Sequence, residues 1–149
     1  SIRRRQRQMC IRDRLEEAYE FDFNLLGICC HEKDYRLCWA VNSTLNLSLS
    51  RSREDIELVF NKESRPDANF SVYSFKSENS SDKYHLISNK CQRTWLIPEK
   101  SHFDFFLMVK SDEKKSYNFY LNKLRTIPFI LTANHVVVEQ LKSKKNLIF

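Results

Sequence analysis

The chain has 149 residues, 42% hydrophobic and 30% charged, with a formal net charge of +6 at pH 7. That length suits one domain, eleven Phe, six Tyr and two Trp supply apolar area for its core, and charges of both signs on such a background exclude intrinsic disorder. No apolar run approaches the roughly 18 residues of a membrane span, and a single glycine, Gly27, excludes the Walker loop, the dinucleotide fingerprint and other phosphate cradles built from several glycines.

The first fourteen residues, SIRRRQRQMCIRDR, hold six arginines and one aspartate. The string resembles a translated sequencing adapter of the kind fused to open reading frames from metagenomic reads, so residues 1–14 are expected to be a non-native, disordered leader and 15–149 a single α+β domain. Taking six from 25 basic and one from 19 acidic residues leaves 19 against 18, a balance of +1. The basic character of the whole chain therefore belongs to this segment, and the remainder offers no general attraction to polyanions.

Residues 21–30 read as a strand: Phe21, Phe23 and Leu25 alternate with polar neighbours before Leu26–Cys30 turns wholly apolar. Gly27 within it marks a bulge or a helix packed close. Tyr35, Cys38, Val41 and Leu45 recur at helical spacing, with Leu37 and Trp39 beside them, and predict an amphipathic helix over 33–45. From Leu47 the period falls to two. Leu47 and Leu49, then Ile56, Leu58 and Phe60, then Phe70, Val72 and Phe75, then Tyr84, Leu86 and Ser88 predict an antiparallel meander separated by polar loops. Phe103–Val109 reads as a central strand buried on both faces, with Pro98 fixing the angle at which the chain approaches it. Ser111 or Asp112 can cap a second helix carrying Tyr117, Tyr120, Leu121 and Leu124 in one stripe, and Pro128 stops it before a last strand at 129–138.

The order strand, helix, several strands, helix, strand ends in a βαβ crossover. It predicts an α+β fold: a mixed, mostly antiparallel sheet with two helices packed on one face, a split βαβ arrangement of ferredoxin-like or ACT-like type with extra meander strands.

Two stretches carry a family signature: Ile97-Pro98-Glu99 followed by Phe103-Asp104-Phe105, and the ending Leu141-Lys142-Ser143-Lys144-Lys145-Asn146-Leu147-Ile148-Phe149. With Asp34-Tyr35-Arg36-Leu37, Leu86-Ile87-Ser88-Asn89 and Ile127-Pro128 in support, the chain resembles the IPExxxVDY family of Bacteroidetes proteins over residues 21–149. Phe103 stands where the family has Val and Phe105 where it has Tyr, which removes a phenolic hydroxyl. The resemblance implies a bacterial cytoplasmic protein of a family without an assigned activity. It makes Ile97, Pro98, Glu99, Asp104 and Phe105 motif residues of unknown role.

Chemistry is sparsely signalled. Cys29, Cys30, His31 and Cys38 form the one cluster with metal-ligating side chains, but an adjacent Cys pair with the next thiol eight residues on is not a zinc knuckle, so no metal and no cofactor is expected and the thiols read as reduced, mostly buried core. Glu99 and Asp104 could act as an acid and base pair only if one were desolvated. An ion pair of Asp104 with Arg36 or Lys100, or a cap on the turn after Pro98, is the structural alternative. The four histidines lie in separate segments, and no catalytic residue is assigned. Lys142, Lys144 and Lys145 with Leu147, Ile148 and Phe149 form a basic, apolar-ended tail that either packs back on the domain or docks on a partner. The expectation is a non-enzymatic protein-binding or adaptor domain for a cytoplasmic protein. The alternative is an ACT-like domain regulated by a small molecule, with RNA binding behind both.

Overall fold

The computed structural model describes residues 22–59, 67–111 and 116–149. The leader, Phe21, Phe60 and Asp112 lie outside them. The first strand, β1 (Asn24–Cys30), leads to helix α1 (Asp34–Leu45), then β2 (Ser50–Arg51), β3 (Ile56–Leu58), β4 (Ala68–Phe70), β5 (Val72–Lys76), β6 (Lys83–Ser88), β7 (Lys90–Cys91) and β8 (Thr94–Trp95). A 3-10 turn at Pro98–Lys100 precedes β9 (Phe105–Lys110), α2 (Tyr117–Leu124) and β10 (Ile130–Val136), and 3-10 turns at Val138–Gln140 and Lys144–Leu147 close the chain.

Six strands form one sheet in the order β10-β1-β9-β6-β5-β2, every neighbouring pair antiparallel. Because β1 lies between β9 and β10, the crossover through α2 is a split βαβ. The crossover through α1 is another, with β9 lying between β1 and β6. The four strands β10-β1-β9-β6 and two helices are thus the expected ferredoxin-like arrangement of an α+β fold, with β2–β5 inserted between α1 and β6. Splitting both crossovers is what leaves no parallel neighbours.

The meander differs from expectation. Only β2, β5 and β6 follow one another in the sheet, whereas β3 and β4 leave it as a separate hairpin with Ile56 opposite Phe70. The sheet accordingly divides the core. One cluster joins Leu26, Ile28, Leu86, Phe105 and Leu107 to Leu37 and Val41 of α1 and Leu121 and Leu124 of α2. The other joins Leu25, Ile87, Phe106 and Met108 to Ile56 and Phe70 of the hairpin, to Leu96, Ile97 and Phe103, and to Val138, Leu141 and Leu147 of the chain's end. Strands covered on both faces need apolar residues at successive positions, hence Leu25–Ile28 and Phe105–Val109.

Local chemistry sets the element ends. Asn46 takes the left-handed conformation after α1 (φ 56°), the role glycine usually fills, and the Asn42 amide both accepts from Leu49 N–H at 2.8 Å and donates to its carbonyl at 3.0 Å, turning the chain toward β2. The second helix is capped by Ser116, whose hydroxyl accepts from Asn118 N–H at 3.2 Å, and not by the upstream residues the sequence suggested. Among the described residues no helix is long and apolar enough to cross a membrane.

Gly27 is neither a bulge nor a helix contact. The register shift of β1 falls at Cys29/Cys30, and a Cβ on Gly27 would lie 2.5 Å from ring atoms of Phe103. The glycine is the seat for that ring. Gly27→Ala is therefore expected to cost about 1–3 kcal/mol of unfolding free energy through overpacking. Combining it with Phe103→Leu should cost less than the sum of the two single changes, measured by urea denaturation of all three variants.

Candidate functional site

The motif residues gather around Asn89, which follows β6 and is completely buried. Its amide nitrogen donates to the carbonyls of Lys100 at 3.0 Å and Phe103 at 2.8 Å, while its amide oxygen accepts from Ile97 N–H at 2.8 Å. Its backbone N–H donates to Asp104 O at 2.9 Å and its carbonyl accepts from Leu96 N–H at 2.8 Å. A buried amide is tolerated only when its groups are bonded, and these bonds fix the loop from Leu96 to Asp104 against the end of β6.

Ile97 is fully buried in the second cluster. Pro98 opens the 3-10 turn, where its missing N–H costs nothing, and Lys100 N–H closes it onto Ile97 O at 3.0 Å. Glu99 projects to the chain's end: its carboxylate accepts from Ser143 N–H at 2.7 Å and from the Ser143 hydroxyl at 3.0 Å. Partial burial pushes the Glu99 carboxyl up, but donation from Ser143 N–H, from its own N–H, from the Ser143 hydroxyl and from Lys142 N–H outweighs this, so its pKa lies below the ordinary value. Beside it the Asn146 amide donates to Leu96 O at 2.8 Å. Asp104 faces the other way. Its carboxylate accepts from Cys30 N–H at 2.9 Å, where the register shift of β1 interrupts the ladder, and its N–H donates to Ile28 O at 2.9 Å.

Glu99 and Asp104 thus bind different backbone donors and do not form an acid and base pair. The ion pair expected between Asp104 and Arg36 or Lys100 gives way to the Cys30 bond, since Arg36 pairs with Glu32 at 3.7 Å and packs over the Phe129 ring. Phe103, in the loop before β9, and Phe105, the first residue of β9, lie on opposite sides of the sheet, the first over Gly27 and the second among the helices, so an apolar ring suits the second position.

The tail packs back. Leu147 is 3% exposed within the second cluster, so of the two alternatives for the tail this residue takes the packed one. Ile148 is half-buried, and the 45% exposed Phe149 sets its ring edge-on to His85 at 5.3 Å. Lys142 and Lys145 are exposed and Lys144 is intermediate.

The thiols do not converge. Cys29 donates to His102 O at 3.0 Å, and Cys38 lies on the buried face of α1. Burial raises the pKa of Cys30, and burial with the nearby Asp34 charge pushes Cys38 up to about 11, so both stay protonated at neutral pH. Among the described residues no group of three His, Cys, Asp or Glu side chains is placed to hold a metal ion. His85 sits between Ser74 Oγ, 2.9 Å from Nδ1, and the Phe149 ring; burial and then the Lys83 charge lower its pKa. His135 stacks on Tyr117 at 4.0 Å and His31 is exposed.

Sequence reasoning missed two features. Asn89 gives no periodic signal, being one polar residue past a strand. Tyr35 and Trp39, assigned to the apolar side of α1, are 63% and 69% exposed, because the buried stripe is Leu37, Cys38, Ala40 and Val41.

No family model, curated protein or solved structure matches the chain.

Two outcomes follow from this geometry. Asn89→Ala strands the buried Ile97 N–H and the Phe103 carbonyl, while the Lys100 carbonyl keeps its bond from Phe103 N–H, and should cost about 2–4 kcal/mol in denaturant unfolding. Glu99, with a folded pKa below its unfolded one, contributes stability that is complete above the unfolded value of about 4.3 and is lost as the pH falls through the folded pKa. Wild type should therefore exceed Glu99→Gln in stability at neutral pH, and the gap should close as the pH falls below the ordinary carboxylate range, followed by urea midpoints across that range.

Proposed function

We propose that this chain is a bacterial cytoplasmic protein of the IPExxxVDY family and that it works as a non-catalytic binding domain for another protein, docking through the outer face of α1. Support for the family comes from the motif, whose Ile97, Pro98, Glu99, Asp104 and Phe105 each hold the loop or strand that the pattern spans. The same residues argue against chemistry there. Both carboxylates are engaged by backbone donors, and Cys30 and Cys38 are protonated.

The observation that carries the reading is the exposure of Tyr35 and Trp39, four residues apart on α1 with Arg36 between them. Trp, Tyr and Arg are the residue types most enriched among those that dominate protein–protein binding energy, and residues four apart share one helix face. Both rings lie on the helical layer, away from the loop that the motif holds.

A Tyr35→Ala, Trp39→Ala double variant should unfold within about 0.5 kcal/mol of wild type, since neither ring supports the core. It should bind a partner isolated on the wild-type chain at least about tenfold more weakly by calorimetry. A partner that binds both proteins equally would place the docking face elsewhere.

A further inference from the structure

Strand register brings Lys76, Lys83 and Lys110 into one row: Lys76 lies opposite Lys83 and Lys83 opposite Lys110 across β5, β6 and β9. Alternation puts all three on the face away from the helices, since Phe75, Tyr84 and Val109 beside them pack with the helical cluster. Like charges directly opposite one another destabilise a sheet. Lys110 is relieved in part by Asp22, 3.4 Å away, but among the described residues Lys76 and Lys83 meet no carboxylate partner.

The row forms one wall of a cavity of about 790 Å³, completed by Ser77, Glu78, Ser80 and Ser81 of the loop between β5 and β6. That loop is folded back on itself, with Ser77 N–H donating to Asp82 O at 3.0 Å and Asp82 N–H to Ser80 Oγ at 3.3 Å. The volume falls within the range of small-molecule sites, here with a polar and largely open lining. Flexible ammonium groups and serine hydroxyls are donors suited to phosphoryl oxygens.

We propose that this cavity binds a small phosphorylated molecule carrying two or more phosphoryl groups in a chain. The outer lysine backbones are two strand spacings apart, about 10 Å, so a chain of phosphoryl groups can meet the side chains along the row without drawing like charges together, as convergence on a single phosphate would. Glu78, the acid of the lining, repels bare phosphate on its side and accepts hydrogen bonds from hydroxyl or amino groups, so the part of the ligand beyond the phosphates carries such donors. This site is separate from the proposed docking face on α1 and does not rest on it.

The test titrates the full chain with sodium tripolyphosphate and with ATP by calorimetry, using wild type, Lys83→Gln and the charge-matched control Lys142→Gln. Saturable, salt-sensitive binding of both probes that weakens about tenfold in Lys83→Gln and is unchanged in Lys142→Gln is the expected result. Tighter binding of ATP than of tripolyphosphate would support the role given to Glu78. Equal affinity in wild type and Lys83→Gln, or an equal loss in Lys142→Gln, would reduce the attraction to diffuse charge and overturn the site. A single-stranded RNA that binds more tightly than either probe and depends on Lys83 would overturn the small-molecule assignment.

Discussion

The buried amide of Asn89 is the constraint from which the layer opposite the helices is built. An amide in an apolar setting is stabilising only when its donors and acceptor are met, and here the partners are backbone groups of one loop. Fixing that loop places Phe103 over Gly27, turns Glu99 toward Ser143, and presents Leu96 O to Asn146. The chain's end is thus held by a turn that is itself held by Asn89, and Leu147 lies in the core beside these contacts.

This layer changes what the sheet can do. A ferredoxin-like arrangement with helices on one face leaves the other available, and an open face bearing aromatic rings can stack bases. Here hairpin β3–β4, the loop after β6 and the chain's end cover it, and Phe70, Phe103 and Phe106 lie within the second cluster. The aromatics of the sheet therefore serve packing. The surfaces left uncovered are at the margins: the outer side of a helix and the ends of strands beyond the covering layer.

What the sequence disclosed follows from the range over which each feature acts. Periodicity reports burial of a face, so β1, α1, β6 and β9 were legible, and so was the split crossover through α2, which follows from element order. Periodicity does not report which sheet a strand joins: Ile56, Leu58 and Phe70 alternate in the hairpin as they would in the main sheet. Gly27 announced a close approach without naming the ring that makes it. The apolar tail announced burial without saying where, and its resolution depends on Glu99 and Asn146, distant partners with no local signal. Tyr35 was misplaced because its spacing to Cys38 fits a helix period, while the stripe is centred on Leu37, Cys38 and Val41. The lysine row is the extreme case. Lys76 and Lys83 flank one loop and are visible as a pair, but Lys110 joins them only through the register of β9.

The two surfaces proposed for binding lie on opposite sides of the sheet, and β6 turns one face toward the cavity and the other toward the buried side of the helices. Lys83 stands in the basic row, while the next residue, Tyr84, packs beneath the helices edge-on to Tyr120 of α2 at 6.4 Å. A ligand drawing Lys83 toward the cavity acts on a strand whose other face is clamped by the helical cluster. Such a clamp resists displacement because a close-packed interior shifts between discrete arrangements rather than deforming smoothly. On that ground the two proposed sites are expected to act independently of one another. Coupling would have to pass through that cluster, where Leu86 of β6 packs with Leu37 and Val41 of α1 and Tyr84 meets Tyr120 of α2, whereas Tyr35 and Trp39 project from the outer side of α1.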